Sequence, residues 1–528
     1  MITTAKATLA VLGSSIGWLG SKSALHGAVL AALAVLGVTL MRPSAPIAGA
    51  SITASDPLSD VDPASDLERD RPALIDGVPT PVGSLARQPV RRSRSVVAAP
   101  SEAEPRDPTL VDNGETDNDL PAEVPPAGGA AASPFEGPSS NGLISLGGGA
   151  RGAFAGRSAR KESVDEAGGA LRWLAAHQSP DGGWGCEGWR NWCDGAENLN
   201  AVGLAGAGRP SHDVGVTGLA LLAFLGAGYT NRSEGAFGKV VGNGLKYLRN
   251  VQDAEGCFGD RSTPRFVYNH AVAALAIVEA YGMTGSSIYK SPAQKALDFV
   301  AIARNPYFAW RYGVKPGDND TPITGFMMMA MKSATLINAA DVKAGKDPSL
   351  AVDEDALEGV KAWIEKMTDP DTGRVGYQQR GTGPYRSRET ASSFPAWRSE
   401  ATTAIGMLAR IFAGEAPANS DAIQKGSRLC ADQPPAWRSW DGSIDFTYWY
   451  FGTLSMYQVG GTPWKAWEAA MKPAIVDTQR RDGDFCFYKG SWDPIDAWGE
   501  EGGRVYATAT MVLCCEVWYR YDKVAGSR

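Results

Sequence analysis

Histidine is nearly missing from this chain, with four in 528 residues, one of them (His26) inside an apolar N-terminal run. Seven cysteines are present, but their spacing matches no standard zinc site. A metal centre is therefore not expected, and nothing in the sequence calls for another cofactor. Charge of one sign is lacking as well. The net charge is only −7 and is spread along the chain, so nucleic acid is not expected as a partner. Long hydrophobic runs are absent but for Ala24 to Met41, which is just long enough to cross a bilayer.

Lys6 and Lys22 precede that run and Arg42-Pro43 follows it. Residues 1–42 read as an uncleaved signal-anchor, or as a signal peptide if Ala48-Gly49-Ala50 serves as the cleavage site. Either reading exports the remainder: anchored at the membrane outside the cytoplasm in the first case, secreted in the second. From 43 to 161 the composition turns to Pro, Ala, Ser, Asp and Gly without sustained periodicity, as in a disordered linker. Arg91-Arg92-Ser93-Arg94 within it reads as a solvated cluster.

What the chain has in abundance is aromatic residues and glycine, and these recur in a pattern. His177-Gln178-Ser179-Pro180-Asp181-Gly182-Gly183-Trp184-Gly185 returns as Gln252-Asp253-Ala254-Glu255-Gly256-Cys257-Phe258 and as Gln479-Arg480-Arg481-Asp482-Gly483-Asp484-Phe485. Each copy has Gln, two variable residues, an acid, Gly, one residue, then a large aromatic. Leu171 and Leu174 stand seven and four residues before Gln178, as Leu245 and Leu248 do before Gln252, which predicts one face of a helix running into a turn. An acid followed by Gly suits that exit, and a Gln amide can satisfy loose backbone groups. Gln178, Asp181, Trp184, Gln252, Phe258, Gln479 and Phe485 are accordingly structural candidates.

Between the markers run more apolar segments, beginning near Asp213, His270, Thr321, Glu400, Phe446 and Val505. A helix apolar around most of its circumference is buried. Six such helices inside six amphipathic ones predict an all-α fold, a single α6/α6 barrel, over residues 162–525.

The marker resembles the QW, or prenyltransferase and squalene-oxidase, repeat of terpenoid cyclases and protein prenyltransferases, and the resemblance implies the same α/α toroid. Gly317-Asp318-Asn319-Asp320-Thr321-Pro322 resembles the Asp-rich element of class II terpene cyclases, Asp-x-Asp-Asp-Thr-Ala, which implies acid-initiated carbocation chemistry near Asp320 and Asp318. Aligned on Asp-Thr, Asn319 stands on the proton donor and Gly317 on the first Asp. Asp445-Phe446-Thr447-Tyr448 resembles the Asp-x-Cys-Tyr region of prenyltransferases with Thr447 in place of the zinc-binding Cys. The Gly-Cys-Gly-Glu-Gln of thioester toroids is absent.

In such a barrel the inner-helix N-termini gather at one mouth with their free N–H groups and positive dipole ends. The ligand-binding candidates are His212, Asp213, His270, Glu400, Asp445, Trp449, Arg504 and Tyr506. Capping alone would explain Asp213, Asp320 and Asp445. Cys186 and Cys193 flank a Trp-rich loop and can pair; Cys514 and Cys515 lie mid-helix and read as buried. Three functions remain open: a toroid that binds an apolar or extended ligand in its central cavity or an envelope protein partner, a cyclase-like enzyme, and a carbohydrate-active toroid using residues such as Trp437, Trp440, Asp441, Asp496 and Trp498.

The topology is directly testable. Positive charge before residues 24–41 favours a cytoplasmic N-terminus, so protease added to intact spheroplasts should remove the toroid. Full protection would contradict export.

Overall fold

The computed structural model describes residues 161–192, 206–263, 265–481 and 488–520. The run Ala24 to Met41, the linker, Cys193 and Phe485 lie outside them. Among the described residues there are twelve α-helices and no strand, only two isolated bridges.

The helices alternate in character along the chain. One set comprises α1 (Lys161–Ala176), α3 (Ala236–Val251), α5 (Ser287–Ala303), α7 (Glu354–Met367), α9 (Asp421–Asp432) and α11 (Gly461–Ala474). The other comprises α2 (Asp213–Gly226), α4 (Phe266–Thr284), α6 (Thr321–Lys343), α8 (Ala401–Phe412), α10 (Phe446–Val459) and α12 (Gly499–Arg520). In α2 every residue from Gly215 to Gly226 is buried. In α3 the buried residues are Phe237, Gly238, Val240, Val241, Gly244, Leu245 and Leu248, a stripe at helical spacing. The even helices are therefore inner and the odd ones outer. Each inner helix packs on the next, and α12 packs back on α2, so the ring closes into an α6/α6 barrel. Phe326 of α6 meets Phe451 of α10 with ring centroids 5.0 Å apart. Since α8 lies between those two helices in the ring, this contact crosses the inside of the barrel.

The marker turns join one helix pair to the next. Gln178 Nε2 donates to the carbonyl of Gly182 in its own turn (2.8 Å) and to that of Val240 in α3 (2.9 Å). Gln252 repeats this with Gly256 (3.2 Å) and Pro292 in α5 (3.0 Å). Gly182 and Gly256 have φ of 92° and 96°, where a side chain would be strained. A Cβ at either would also collide with a carbonyl of the next outer helix, Asn243 or Lys295. Gln479 donates to Gly490 (2.8 Å) and lies beside Gly169 of α1, so the last turn returns to the first helix.

The marker indole is equally internal. Trp184 Nε1 donates to the Leu174 carbonyl (2.7 Å), and its backbone N–H donates to Thr217 Oγ1 of α2 (2.8 Å). Trp310 and Trp492 make the same kind of indole bond, to Val300 and Ile475, each at 2.8 Å. These two positions escaped the sequence pattern. Trp310 stands ten residues after its acceptor, as Trp184 does, but Arg304, Tyr307 and Phe308 replace the Gln, acid and Gly of the marker, whereas Trp492 follows its acceptor by 17 residues across a longer loop. In the last repeat Trp492 takes the role expected of Phe485.

Two inner-helix starts differ from expectation. Helix α4 begins at Phe266 rather than His270, because Phe266 and Val267 are themselves buried and extend the apolar run one turn earlier. Helix α12 is broken at Gly503 (φ 66°), so its regular part starts at Arg504, next to the expected Val505. No helix among the described residues is long and apolar enough to cross a membrane.

Trp184 is fully buried, so Trp184→Ala should cost about 3–5 kcal/mol. Denaturant unfolding measures this directly. A loss of ligand binding with unchanged stability would instead place the indole in a binding site.

Candidate functional site

The inner helices leave unpaired N–H groups at their starts, and the polar residues gathered there answer that need first. Asp320 is the N-cap of α6, its Oδ1 accepting from Ile323 N–H at 2.9 Å. Asp445 caps α10 through Tyr448 N–H at 3.0 Å, while its Oδ2 accepts from Arg386 (2.6 Å) and Ser399 (2.8 Å). Asp213, expected as a cap, is instead the first residue of α2, after an N-cap position held by His212 without a side-chain bond, and it accepts from the loop N–H of Cys186 at 2.7 Å. Glu400 is buried against Arg374 (2.5 Å) and Thr403 (2.7 Å). His212 lies 3.1 Å from Glu501, which also pairs with Arg209 at 3.4 Å.

Three expected site residues are placed otherwise. His270 lies one turn inside α4 and is fully buried, with Nδ1 accepting from Phe258 N–H at 3.2 Å. Burial lowers its pKa to about 3, so it stays neutral and braces the second marker turn. Arg504 is buried, donating to Ser491 (2.8 Å) and Asp493 (2.5 Å) with its guanidinium 4.2 Å from the Tyr488 ring centre. Trp449 is core, packed on Phe446 and Trp437. Cys186 carries a free, buried thiol, and the partner expected for it, Cys193, lies outside the described residues.

The Asp-rich element is divided between surface and interior. Asp318 is exposed and ion-paired with Arg311. Asn319, on the position that the cyclase motif gives to the proton donor, braces the loop: its Oδ1 accepts from Ala309 N–H (2.9 Å) and Asn305 (3.0 Å). Asp320 is completely enclosed, and its Oδ2 accepts from the Tyr377 hydroxyl at 3.4 Å. Tyr377 is in turn 3.0 Å from the Tyr312 hydroxyl. Burial raises the Asp320 pKa to about 7, against the lowering effects of Ile323 N–H, Arg311 and Tyr377.

A second carboxyl of the same kind precedes α12. Asp496 Oδ2 accepts from Phe446 N–H (3.0 Å) and the Tyr506 hydroxyl (3.1 Å), and Tyr506 is 3.2 Å from Thr447. Burial and the neighbouring Asp445 push its pKa up to about 7. Asp496, Tyr312, Tyr377, Arg311 and Arg386 come from loops between helix pairs, which carry no periodic signal. Inspection of helix starts alone therefore passed over Tyr312, Tyr377, Arg311 and Arg386, whereas Asp496 stands among the residues of the carbohydrate reading. No cluster of three or more His, Cys, Asp or Glu among the described residues is placed to hold a metal ion.

Space for a ligand opens at the rim of the same mouth. A cleft of about 530 Å³ lies between the loop that joins α9 to α10 and the C-terminal end of α11. Arg398, Asp432, Gln433, Trp437, Arg438 and Asp441 contribute to its walls.

No family model matches the chain, and no curated protein matches its sequence. Among solved structures it is similar to the GH76A α-1,6-mannanase from Salegentibacter, at 12% identity over 67% of this chain and 98% of that one, with TM-score 0.42. It is similar also to the type II terpene cyclase MstE from Scytonema, at 13% identity over 67% and 98% of the two chains, with TM-score 0.40. A protein from Actinoplanes matches at 13% identity over 67% and 98%, with TM-score 0.39. Both named enzymes are α/α toroids, as this chain is; their chemistry is not carried over by such a likeness.

The two raised carboxyls make a pH signature. With a pKa of about 7 when folded and near 3.8 when unfolded, each keeps its proton in the folded chain where the unfolded chain has lost it. Their contribution to stability is complete below about pH 4, is lost as pH rises towards 7, and is flat above that. The loss is up to about 4 kcal/mol for each group. Asp496→Asn and Asp320→Asn should flatten the fall in stability of the parent between pH 4 and 7. Parallel curves for parent and variants in denaturant unfolding would show that neither carboxyl is perturbed.

Proposed function

We propose that this chain is a binding toroid of the cell envelope, held at the membrane by residues 24–41, which takes an extended ligand at the mouth formed by the inner-helix starts. The observation that carries this reading is the division of labour at the mouth. Asp320, Glu400 and Asp445 at the helix starts are enclosed and engaged with backbone N–H, Arg, Ser, Thr or Tyr, whereas a cleft with room for a ligand opens at the rim. A carboxyl occupied as a cap and without exposed surface contributes to fold before it contributes to chemistry. An envelope protein could use the same rim.

A second reading, acid-initiated chemistry at Asp320, is favoured by one observation. Protonating an alkene needs a carboxyl held neutral and dry among aromatic groups, and Asp320 is enclosed, has a pKa near 7 and accepts a bond from Tyr377. Asp318 would then only anchor Arg311.

The two readings separate on Asp320→Asn. Asn caps about as well as Asp, so stability at neutral pH should stay within about 1 kcal/mol of the parent apart from the protonation effect above. Mass spectrometry of material co-purified from native membranes identifies the ligand. Under the binding reading the variant retains it with unchanged affinity. Turnover of a co-purified isoprenoid by the parent, lost in the variant, would establish acid chemistry instead.

A further inference from the structure

The pentapeptide Pro395-Ala396-Trp397-Arg398-Ser399 recurs as Pro435-Ala436-Trp437-Arg438-Ser439. The first copy leads into Glu400 and α8, the second towards Asp445 and α10, so equivalent turns stand on neighbouring inner helices at the mouth. They are physically joined: Gln433 Nε2 donates to the Trp397 carbonyl at 3.1 Å. Arg398 and Arg438, one from each copy, both line the rim cleft.

One indole lines this place and two others neighbour its lining residues in the chain. Trp437 lines the cleft and is stacked on Phe446, 5.8 Å between centroids and 20° between planes. Trp397 is 65% exposed and Trp440, beside the cleft residue Asp441, is 81% exposed. A single exposed indole is ordinary on a folded surface, but each of these adjoins a cleft residue in the chain, Trp397 next to Arg398 and Trp440 next to Asp441. The Arg398 guanidinium lies 4.5 Å from the Trp397 ring centre, and its Nε has no hydrogen-bond partner in the protein.

We infer that the cleft between these twin turns binds a neutral polysaccharide, the two exposed indoles serving as stacking platforms for successive sugar rings. This rests on the reading of the mouth as a binding site and names its ligand class. Three features select the class. The cleft's charged groups balance, Arg398 and Arg438 against Asp432 and Asp441, which disfavours a polyanion or polycation. Arg offers only donors and ionised Asp only acceptors, and a sugar hydroxyl can answer both at once. Indole faces cover the apolar C–H face of a sugar ring while leaving its hydroxyl edge to polar groups. Duplication of the Trp-Arg turn along the rim suits a ligand that is itself repetitive. A volume near 530 Å³ lies in the range of pockets that enclose a small ligand, and here it holds a few units while the chain continues across the rim.

The experiment is calorimetric titration of the intact toroid with a panel of neutral oligosaccharides differing in sugar and linkage, alongside an oligouronate and a proline-rich peptide. Trp397→Ala and Trp440→Ala remove exposed side chains, so both variants should fold, and the parent's melting temperature is the control. Saturable binding of a neutral oligosaccharide is expected, weakened about tenfold by either substitution and abolished by both. Arg438→Ala should weaken it further without changing the melting temperature. No binding by any neutral oligosaccharide at about 10 mM, far above the range of specific affinities, overturns the inference, as does binding that survives the double substitution. If the oligouronate or the peptide binds instead and the double variant loses it, the ligand class is wrong and the binding reading stands. If the oligosaccharide binds and is also cleaved, the ligand class stands and the purely binding reading falls.

Discussion

The interaction on which this molecule depends is the seating of each marker turn against the next outer helix. Gly182 lies on the backbone of α3 and Gly256 on that of α5, so close that a single added carbon would strike a carbonyl. In each case a Gln amide bonds a carbonyl of its own turn and one of the neighbouring helix. A net gain of about 1 kcal/mol per bond is modest. The geometric consequence is larger, because each pair receives its position from the one before it and the last turn meets α1. The inner ring can then close, and helices as apolar as α2 are removed from water on all sides.

Closure brings six helix starts together, and with them a concentration of backbone N–H groups that have no helical partner. Asp320, Asp445 and Asn269 answer that demand: Asn269, for example, accepts from Gly215 N–H at 3.0 Å and donates to Ser211 at 2.7 Å. The mouth is thus polar for structural reasons before it is polar for a ligand. The same burial that makes these caps strong also raises Asp320 and Asp496 towards neutrality, so a structural network has the protonation properties usually associated with catalysis. A perturbed carboxyl here is a consequence of enclosure. What distinguishes a ligand site is access, and the rim cleft has it.

Much of the architecture was legible in the chain. The spacing of Leu171, Leu174 and Gln178 predicts an amphipathic outer helix ending in a turn, and the runs after Asp213, Thr321, Glu400 and Asp445 predict buried inner helices; both patterns reflect local periodicity and capping chemistry, which neighbouring residues determine by themselves. Trp310 and Trp492 were not legible as markers although the indole bond is the same, because the turn before Trp310 lacks the Gln, the acid and the Gly, and the loop before Trp492 is longer than in the first copy. His270 and Arg504 were misread as mouth residues, since a polar residue near a predicted helix start can face inward once the helix begins a turn earlier or kinks.

The sequence by itself therefore determined the twelve-helix repeat and the caps at Asp320 and Asp445, through periodicity, left-handed glycines and short polar side chains acting over a few residues. Only the tertiary structure decided which polar groups meet. Tyr377 with Asp320, Asp496 with the start of α10, and Arg398 with Arg438 are brought together by the closing of a ring, and their environment, dry for the carboxyls and open for the rim, depends on atoms far away in the chain. Burial and convergence are properties of the closed barrel, and no local stretch of residues contains them.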